Sequence, residues 1–589
     1  MRNFSTSSLL FVSAVLAATT LAFGASAADE KNNEAGDVAP TVFQPVGAPE
    51  VAGEILVDMK DEASAADIAA VESMYGIKLR ANSPRSGALG KFEVTDVDAA
   101  SEGGLIARLS ADARVEHAEP MEIFEATFVP NDPLYDAKQW HLKRVGAEQA
   151  WDYACGQGVT VAVVDTGVAC YDKGPFSRGT DLSGTRCGGG YNFVDDSEEA
   201  VDDQGHGTHV AGTIAQTTNN DKGVAGLAFC ANLMPVKVLN KYGWGTLADV
   251  AEGIRYAADN GASVINLSLG GSSPSKVLEA AVDHAIGKGV IVVAAAGNSG
   301  KSVGYPAAYD GVIAVSASDS NDNIAWFSSR GRQVAIAAPG VGVTQQTICE
   351  GGKNKCELFG TFNGTSMASP HVAGAAAMLV GLGVGDPEAV REELQGTARP
   401  KDDATLYGAG ILDVGAGAAH VFYKHLSLRF LACLALFFAV ARRIKQKGGK
   451  VRMSQGVVMG AIFTSVGLLP FAPLLNLASR AGSLRWIVEL GMRPFGEWDL
   501  VYSAGLHRWL LLASALPSVA FLALLFGVKK VRGFMGGFAV GGAALLTQIF
   551  LSADVAFPLG SLALRVFCIV NVIACLWIAR ISLDETART

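Results

Sequence analysis

The chain has 589 residues, of which 50% are hydrophobic and only 18% are charged, and its mean hydropathy is +0.28. This composition is too apolar for an ordinary soluble protein and predicts membrane-embedded segments. Residues 421–589 contain 18 Lys and Arg against 6 Asp and Glu, a net +12 within a total of −10, which leaves −22 for residues 1–420. So acidic a region excludes nucleic-acid binding as its main function, because phosphate contacts need a basic surface.

Residues 1–27 have the pattern of an export signal. Arg2 supplies the positive start, Leu9–Phe23 is apolar, and Ala25-Ser26-Ala27 is a small-residue cleavage site. The alternative is an N-terminal membrane anchor, for which the apolar stretch is short. Residues 28–52 are rich in Ala, Pro, Gly and Asn and are predicted to be a linker.

The cysteines divide into two groups. Six of the nine cysteines precede residue 420, and export to an oxidising compartment allows up to three disulfides among them, in any of fifteen pairings. Spacing favours Cys349–Cys356 and Cys170–Cys187, with Cys155–Cys230 left over. Three further cysteines in apolar runs are predicted to be unpaired: Cys433, Cys568 and Cys575.

Two folded domains are predicted before residue 421. Residues 53–128 show strand patterns at 54–58, 91–94 and 115–124 and helix patterns at 64–75 and 104–109, which indicate a small α+β domain. Residues 129–420 contain continuous apolar strands at 159–164, 233–238, 263–267, 290–295 and 312–316, with helices such as 247–260 and 276–288 between them. Strands of this kind are buried on both faces, so an α/β domain is predicted, with a parallel sheet covered by helices on both faces.

Residues 421–589 are predicted to form an all-α transmembrane bundle. Apolar stretches lie near 426–441, 456–478, 509–528, 534–553 and 558–579, and four of the five approach the roughly 20 residues that cross a bilayer. In the first and weakest stretch, Lys424 and Arg429 would have to extend toward the membrane surface. Five such runs in one block argue against core helices of a soluble domain.

The charges between these stretches predict a five-span topology. Basic clusters at 442–452, at 529–532 and at Arg580 would all be cytoplasmic if residues 129–420 lie on the periplasmic or extracellular side. Arg565 lies inside the fifth stretch and needs a partner there, for which Asp554 is the prediction.

Three segments of the α/β region carry residues suited to nucleophilic catalysis. Asp165 ends a strand in Val-Val-Asp-Thr-Gly, His206 lies in Asp-Gln-Gly-His-Gly-Thr-His, and Ser366 lies in Asn-Gly-Thr-Ser-Met-Ala-Ser-Pro-His at the start of a helix. A serine hydroxyl becomes a nucleophile when an imidazole takes its proton, and a carboxylate orients that imidazole. The Asp-Thr-Gly segment alone is also typical of an aspartic protease, but that enzyme needs two such loops and would leave His206 and Ser366 without a role.

Together, the three segments resemble the subtilase family of serine proteases, and Asn131-Asp-Pro-Leu-Tyr gives the chain thermitase-like features. The resemblance covers residues 50–420 and implies a subtilisin-like parallel sheet with Asp165, His206 and Ser366 as catalytic triad. It also implies that Asn298 completes the oxyanion hole. Ser268, Leu269 and Gly270 would pair with the substrate backbone, and Gly297 and Gly304 would line a pocket for a large apolar or aromatic side chain.

The same resemblance implies two further features. Residues 53–128 would be an inhibitory propeptide, removed by autocleavage near residues 125–130 at the start of the catalytic domain (129–420). A structural Ca²⁺ would be held by oxygen ligands, which suit this ion. The residues at the matching positions are Asp132, Asp181, Thr217, Asn220, Lys222 and Val224.

The sequence therefore predicts a membrane-tethered serine endopeptidase that acts on protein or peptide substrates. The alternative is a membrane sensor or transporter whose subtilase domain only recognises peptides. A complete triad together with Asn298 argues against that alternative, because a binding module does not need catalytic groups. The resemblance to subtilases implies nothing about residues 421–589.

Overall fold

The computed structural model describes residues 50–586 apart from 62, 84–85, 88–90, 99–100, 123–127, 173–175, 349–357, 503–509, 526–527, 529, 553 and 556–559. The chain divides into two compact units, one formed by residues 27–126 and the other by 1–26 together with 127–589. The predicted export signal, most of the linker, the expected cleavage region and the Cys349–Cys356 disulfide lie wholly or partly outside the described residues. The domain limits given above remain predictions.

The N-terminal unit is a small α+β fold, as predicted. Its antiparallel sheet has the order β2-β3-β1-β4. The strands are β1 (Glu50–Met59), β2 (Arg80–Ala81), β3 (Phe92–Asp96) and β4 (Val115–Glu122), and the helices are α1 (Ala65–Tyr75) and α2 (Glu102–Ser110). Ser64 caps α1 with a reciprocal capping box to Asp67, which satisfies free N–H groups at the helix start.

The second unit contains a parallel sheet of eight strands. Its order is β12-β11-β10-β9-β5-β8-β6, and β7 pairs with β8. The strands are β5 (Thr160–Asp165), β6 (Arg186–Cys187), β7 (Tyr191–Asn192), β8 (Asn232–Lys237), β9 (Val264–Leu267), β10 (Ile291–Ala295), β11 (Ile313–Ser318) and β12 (Val334–Pro339). The five predicted apolar strands are confirmed to within two residues at each end.

Helices cover both faces of this sheet and create two hydrophobic cores. They are α3 (Tyr135–Lys138), α4 (Trp140–Arg144), α5 (Ala147–Ala150), α6 (His206–Ala215), α7 (Leu247–Asp259), α8 (Lys276–Gly287), α9 (Thr365–Gly381), α10 (Pro387–Gly396) and α11 (Ala404–Tyr407). Side chains of β5 alternate between the cores, because Val161 and Val163 pack with α6 and α9 whereas Ala162 and Val164 pack with α7 and α8. A separate antiparallel pair is formed by β13 (Val343–Gln346) and β14 (Phe359–Phe362).

Two of the three predicted disulfides lie within the described residues, and both are present. Cys155 is bonded to Cys230 and Cys170 to Cys187. Cys433, Cys568 and Cys575 are free and buried, as expected for cysteines in apolar helices.

The C-terminal region is helical and belongs to the same compact unit as the α/β domain. Its helices are α12 (Val414–Gln446), α13 (Gln455–Ser465), α14 (Leu477–Arg480), α15 (Arg485–Met492), α16 (Trp498–Tyr502), α17 (Leu516–Leu525), α18 (Arg532–Ser552) and α19 (Gly560–Leu583). Among the described residues, α12, α18 and α19 are long and apolar enough to cross a membrane.

The prediction of a continuous span over 456–478 is wrong. Helix α13 ends at Ser465, and a one-turn 3₁₀ helix (Pro473–Leu475) and the short helix α14 follow it. Gly467 has a φ of +86°, and Pro470 and Pro473 lack the N–H group that a continuing helix needs. For the stretch 509–528, α17 is the described helical part, and several of its other residues are outside the described range.

Two predictions about charged residues in this region are also wrong. Arg429 does not extend outward, because its side chain is buried, forms an ion pair with Glu497 and donates from Nε to Gln548 at 2.9 Å. Asp554 pairs with His425 rather than with Arg565, whose side chain is exposed. Lys424 is paired with Glu393.

Candidate active site

Asp165 and His206 meet at the carboxyl edge of the parallel sheet. Asp165 is the last residue of β5 and is fully buried, and His206 is the first residue of α6. His206 Nδ1 lies 2.8 Å from Asp165 Oδ1, which also accepts from the backbone N–H of Thr166 at 2.7 Å. This bond fixes the imidazole so that its Nε2 is the nitrogen that can take a proton.

Electrostatics separate His206 from the other buried histidines. Burial lowers the pKa of His206, but the charge and hydrogen bond of Asp165, with a smaller contribution from Asp202, raise it more, so that the pKa lies above its ordinary value of 6.5. Burial lowers the pKa of His209 to about 3 and that of His371 to about 4. Only His206 among these three is therefore suited to hold a proton near neutral pH.

Ser366 lies in the first turn of α9, after Gly364 and Thr365. Its hydroxyl donates to the backbone carbonyl of Ser268 at 3.1 Å, and the Ser268 hydroxyl donates to the Ser366 carbonyl at 2.8 Å. These two bonds fix the start of α9 against the segment that follows β9. In this arrangement the Ser366 hydroxyl is bonded to Ser268 rather than to His206, and catalytic hydrogen bonds are often incomplete without substrate.

Two hydrogen-bond donors lie on the side of Gly364 that a side chain would occupy. Asn298 Oδ1 accepts from Thr365 N at 2.8 Å and from Thr365 Oγ1 at 2.9 Å, which directs the Asn298 Nδ2 group the other way. A Cβ atom on Gly364 would lie 3.3 Å from Asn298 Nδ2 and 3.6 Å from Ser366 N. An oxygen atom in that space would therefore be within reach of both N–H groups.

The predicted substrate-binding residues lie together along one edge of the site. Leu269 and Gly270 follow the buried Ser268 and are partly or fully exposed, so their backbone groups can be reached from solvent. Gly271 and Tyr305 exchange two backbone hydrogen bonds of 2.8 Å, which bring this segment next to Gly304. A Cβ on Gly297 would lie 3.0 Å from Ser329 Oγ and 4.0 Å from Gly304 N. The two glycines are thus neighbours, and a side chain at either would narrow the space between them.

Four of the six predicted metal ligands converge between the start of the domain and the loop 217–224. Asp181 accepts from Asn220 Nδ2 at 2.8 Å and from Val224 N at 2.9 Å, and Asp132 accepts from Asn219 N at 2.7 Å. Burial raises the pKa of both carboxyl groups, that of Asp181 to about 6. Asp132 Oδ1 is buried without a hydrogen bond, and among the described residues neither carboxylate has a cationic partner. These oxygens fit a hard cation such as Ca²⁺.

The side chains of the other two predicted ligands, Thr217 and Lys222, are not placed to bind a cation. The Thr217 hydroxyl is occupied by Gly184 N and Thr185, each at 3.0 Å, and the Lys222 side chain is exposed while its N–H donates to Asn220. Only a backbone carbonyl of either residue is chemically suited to a cation. Within the described residues, no group of three or more His, Cys, Asp or Glu side chains is arranged to hold a metal.

Asp202 supports the site and was not predicted from the sequence, because it is one of several acidic residues between positions 195 and 203. Its fully buried carboxylate accepts from Thr166 Oγ1 at 2.9 Å and from Thr208 Oγ1 at 2.6 Å. It therefore connects the turn after β5 to the first turn of α6. Its position four residues before His206 in Asp-Asp-Gln-Gly-His was the available signal.

Comparisons with known proteins agree with this geometry. The model of the Subtilase family matches residues 156–410. The thermophilic serine proteinase of Bacillus sp. (strain AK1) is 40% identical over 350 residues, which are 59% of this chain and 82% of that protein. The chain belongs to the subtilase family.

Two further proteins are similar to this subtilase. Thermitase of Thermoactinomyces vulgaris is 44% identical over 259 residues, which are 44% of this chain and 87% of that protein. A solved protease from Pseudoalteromonas arctica PAMC 21717 is 32% identical, with a TM-score of 0.45, and the match covers 50% of this chain and 99% of that chain. The predictions of a serine endopeptidase, a subtilisin-like sheet and thermitase-like features are confirmed.

Proposed function

We propose that this subtilase is a membrane-tethered, calcium-stabilised endopeptidase that is made as a zymogen and acts outside the cytoplasm. The observation that carries the proposal is the Asp165–His206 hydrogen bond, together with the two N–H groups beside Gly364, one of which belongs to Ser366. The alternative of a peptide-binding sensor or transporter has no comparable observation in its favour.

The mechanism follows from these positions. The Ser366 hydroxyl turns from the Ser268 carbonyl toward His206 Nε2, gives up its proton there and attacks the carbonyl carbon of the substrate. Asp165 stabilises the imidazolium that forms, and Ser366 N and Asn298 Nδ2 donate to the oxyanion. His206 then protonates the leaving amine, and water hydrolyses the acyl-enzyme by the same steps in reverse. Ser268, Leu269 and Gly270 would hold the substrate backbone, with the side chain preceding the cleaved bond between Gly297 and Gly304.

Calcium would have a structural role in this proposal. Asp132, Asp181 and Asn220, with backbone carbonyls of Thr217, Lys222 and Val224, are the residues that would hold it, and a bound cation would offset the charge of two buried carboxylates. In the part of the chain that the structure describes, no hydrogen bond joins these residues to Asp165, His206 or Ser366. The chemistry therefore does not depend directly on the ion.

The C-terminal helices support membrane attachment. Helix α18 has 21 residues and extends over about 32 Å, which matches the hydrocarbon thickness of a bilayer. Large apolar side chains are exposed on α12 and α19, among them Leu431, Phe438, Leu562, Val566, Ile573 and Trp577. Exposed apolar surface of this extent is typical of contact with lipid. The basic residues at 442–452, at 529–532 and at Arg580 favour the cytoplasm for the end of the bundle far from the catalytic domain.

Close packing also joins α13 to α18, one of the three described helices that are long and apolar enough to cross a membrane. A Cβ on Gly456 would lie 3.2 Å from Phe534 N, and one on Gly541 would lie 2.5 Å from Ala461 O, so α13 and α18 run side by side in the same direction. Small residues let these backbones approach closely.

The Ser366→Ala variant tests the enzymatic part of the proposal. We expect no labelling by a fluorophosphonate, no peptidase activity, and accumulation of the chain with the 53–128 segment attached. The wild-type protein, expressed in a host without other subtilases, should label and should lose that segment. Normal maturation of Ser366→Ala in this host would disprove autoprocessing, and activity of the variant would disprove the role of Ser366.

A further inference from the structure

We propose that the C-terminal helices hold the catalytic domain at a fixed height, so that the enzyme selects membrane-anchored polypeptides whose cleavable bond can reach about 22 Å beyond the bilayer surface. This inference rests on the proposed function of a membrane-tethered endopeptidase and names the substrate class of the same site. It depends on how the two regions are joined, which the next three paragraphs describe.

No flexible linker separates the catalytic domain from the membrane helices. Helix α12 begins at Val414, whose N–H donates to Val145 O at 2.8 Å, and its first residues pack in the core of the catalytic domain as far as Leu426. The same helix continues without interruption to Gln446. Rotation at a linker is therefore not available to the catalytic domain.

Three other segments of the C-terminal region also contact the catalytic domain. The Arg485 guanidinium donates to Trp151 O and lies 5.4 Å from the centre of the Phe229 ring. Gln157 Nε2 donates to Val501 O at 3.2 Å. The carbonyl of Asp554 accepts from Gly385 N at 2.7 Å and from Asp386 N at 3.0 Å. Contacts from three parts of the bundle fix both the distance and the orientation of the catalytic domain.

Buried charges at this junction strengthen the attachment. We call the four residues Arg429, Glu497, His425 and Asp554 the junction cluster; their side chains are between 4% and 8% exposed. Arg429 pairs with Glu497, and His425 Nε2 lies 2.7 Å from Asp554 Oδ2. The adjoining cavity has a volume of about 20 Å³, which is room for about one water molecule. All four residues lie within residues 421–589, and the pairs join the first half of α12, which packs in the core of the catalytic domain as far as Leu426, to the segments that contain Glu497 and Asp554. Pulling this part of α12 away from those segments would leave buried charges without partners, which is unfavourable.

The position of Ser366 follows from helix α9, which lies beside α12. At one end, Leu412 N donates to Ala337 O and Gly364 N donates to Gly340 O, so α9 and α12 both begin near the end of β12. At the other end, Leu382 and Leu426 line the same cavity. The two helices therefore run in the same direction.

The height of the site can then be estimated from helix geometry. Ser366 and Gly381 are fifteen residues apart on α9, which is about 22 Å at 1.5 Å per residue. Asp554 follows the outer end of α18 and contacts Gly385 just beyond α9, so the cavity end of α9 lies at the membrane surface. An extended chain rises about 3.3 Å per residue, so an anchored substrate needs about seven residues between the bilayer and the cleaved bond.

The test uses full-length enzyme in phosphatidylcholine vesicles and one quenched fluorescent peptide carried on a dialkyl lipid. Spacers of about three, seven and fourteen residues separate the lipid from the cleaved sequence. We expect kcat/KM with the shortest spacer to be at least tenfold lower than with the longest, with the change near seven residues. Equal rates with all spacers would overturn the inference.

Two matched glycine variants test whether the junction sets this threshold. Gly158 (φ +80°) faces the Leu500 carbonyl so closely that a Cβ would collide with it, whereas a Cβ on Gly261 (φ +92°) would meet nothing within 4 Å. Gly158→Ala should reduce the spacer dependence to less than threefold, and Gly261→Ala should keep it. If Gly158→Ala does not fold, Gln157→Ala takes its place. This variant loses only the bond to Val501 and should reduce the spacer dependence partially. An unchanged threshold in whichever of the two variants folds would exclude a role for the junction.

A lipid-free form of the same peptide shows whether a negative result contradicts the proposed function or only the fixed height. Wild type, Gly158→Ala and Gly261→Ala should cleave it at equal rates, because no substitution is near Ser366. Loss of this activity in wild type, or failure of wild type to float with the vesicles, would contradict the proposed function itself. Retained activity and flotation without spacer dependence would contradict only the fixed height.

Discussion

Two histidine–aspartate pairs of nearly equal length lie in different regions of this subtilase. His206 Nδ1 is 2.8 Å from Asp165 in the catalytic domain, and His425 Nε2 is 2.7 Å from Asp554 in the junction cluster. A quarter of the His206 side chain is exposed, whereas 4% of His425 is exposed and its Nδ1 accepts from Arg429 at 3.4 Å. Among the described residues, His206 has a ring nitrogen without a hydrogen bond and a partly exposed side chain, whereas both ring nitrogens of the buried His425 are hydrogen-bonded. The surroundings of such a pair therefore decide whether it supports catalysis or packing.

The largest expected effect comes from removing each carboxylate in turn. Asp165→Asn should lower kcat by about 10⁴-fold with little change in melting temperature, because the amide no longer selects the required tautomer of His206. Asp554→Asn should leave kcat within about twofold and lower stability by about 1–3 kcal/mol, since a charge-assisted hydrogen bond is lost in a buried place. Kinetics and thermal unfolding of both variants check this, and a loss of kcat in Asp554→Asn would end the distinction between the two pairs.

A smaller effect is expected from the oxyanion donor. Asn298→Ala should lower kcat by about 10²–10³-fold and leave KM nearly unchanged, because the lost hydrogen bond forms mainly in the transition state. Asn298 also accepts from Thr365, so Asn298→Asp is the control that retains the acceptor and removes the donor. Full activity of Asn298→Asp would show that the donor is not used.

The pH dependence of kcat/KM should report His206 and not His425. Below its midpoint, kcat/KM should fall about tenfold per pH unit. His206 must be neutral to accept the Ser366 proton, and Asp165 raises its pKa above 6.5, so kcat/KM should fall as the pH decreases through a midpoint above 6.5. Removing the charge with Asp165→Asn should move this midpoint to lower pH, while Asp554→Asn should not move it. A profile of wild type that is flat down to pH 5 would contradict His206 as the base.

Calcium should have the smallest effect on catalysis, because its proposed role concerns stability. Excess Ca²⁺ should raise the free energy of unfolding by about 3–4 kcal/mol relative to EGTA at pH 7.5. Because the pKa of Asp181 without a cation is raised to about 6, the folded protein gains a proton there as the pH falls below 6. Stability in EGTA should therefore increase from pH 7 to pH 5, and the benefit of Ca²⁺ should shrink.

Thermal unfolding with each cation condition measures this directly. Asp181→Asn should abolish the Ca²⁺ effect, whereas Asp310→Asn, a change of an exposed acid outside the site, should retain it. Identical melting temperatures of wild type in Ca²⁺ and in EGTA would remove the calcium assignment.

The sequence was sufficient where local pattern determines structure. Strands such as β5 and β9 are continuous apolar runs, and Asp165, His206 and Ser366 each lie in a long motif, so the sheet and the triad segments were predictable. The C-terminal region was predicted less well, because Gly467 and two prolines end a helix that composition alone would continue. The Arg429–Glu497 and His425–Asp554 pairs join residues 68 and 129 positions apart, and no local pattern indicates such partners.

Under the proposed membrane attachment, the uninterrupted course of α12 affects how long the catalytic domain stays joined to the membrane helices. A protease that digests itself usually does so at exposed, irregular segments, where the backbone can enter a cleft in extended form. Residues 414–446 offer no such segment, since their backbone is helical and the part near the catalytic domain is packed in its core. Autolysis should therefore not release a free catalytic domain, and activity should stay with the membrane fraction as the preparation ages. The enzyme would then meet its substrates by diffusion in two dimensions for as long as it remains folded.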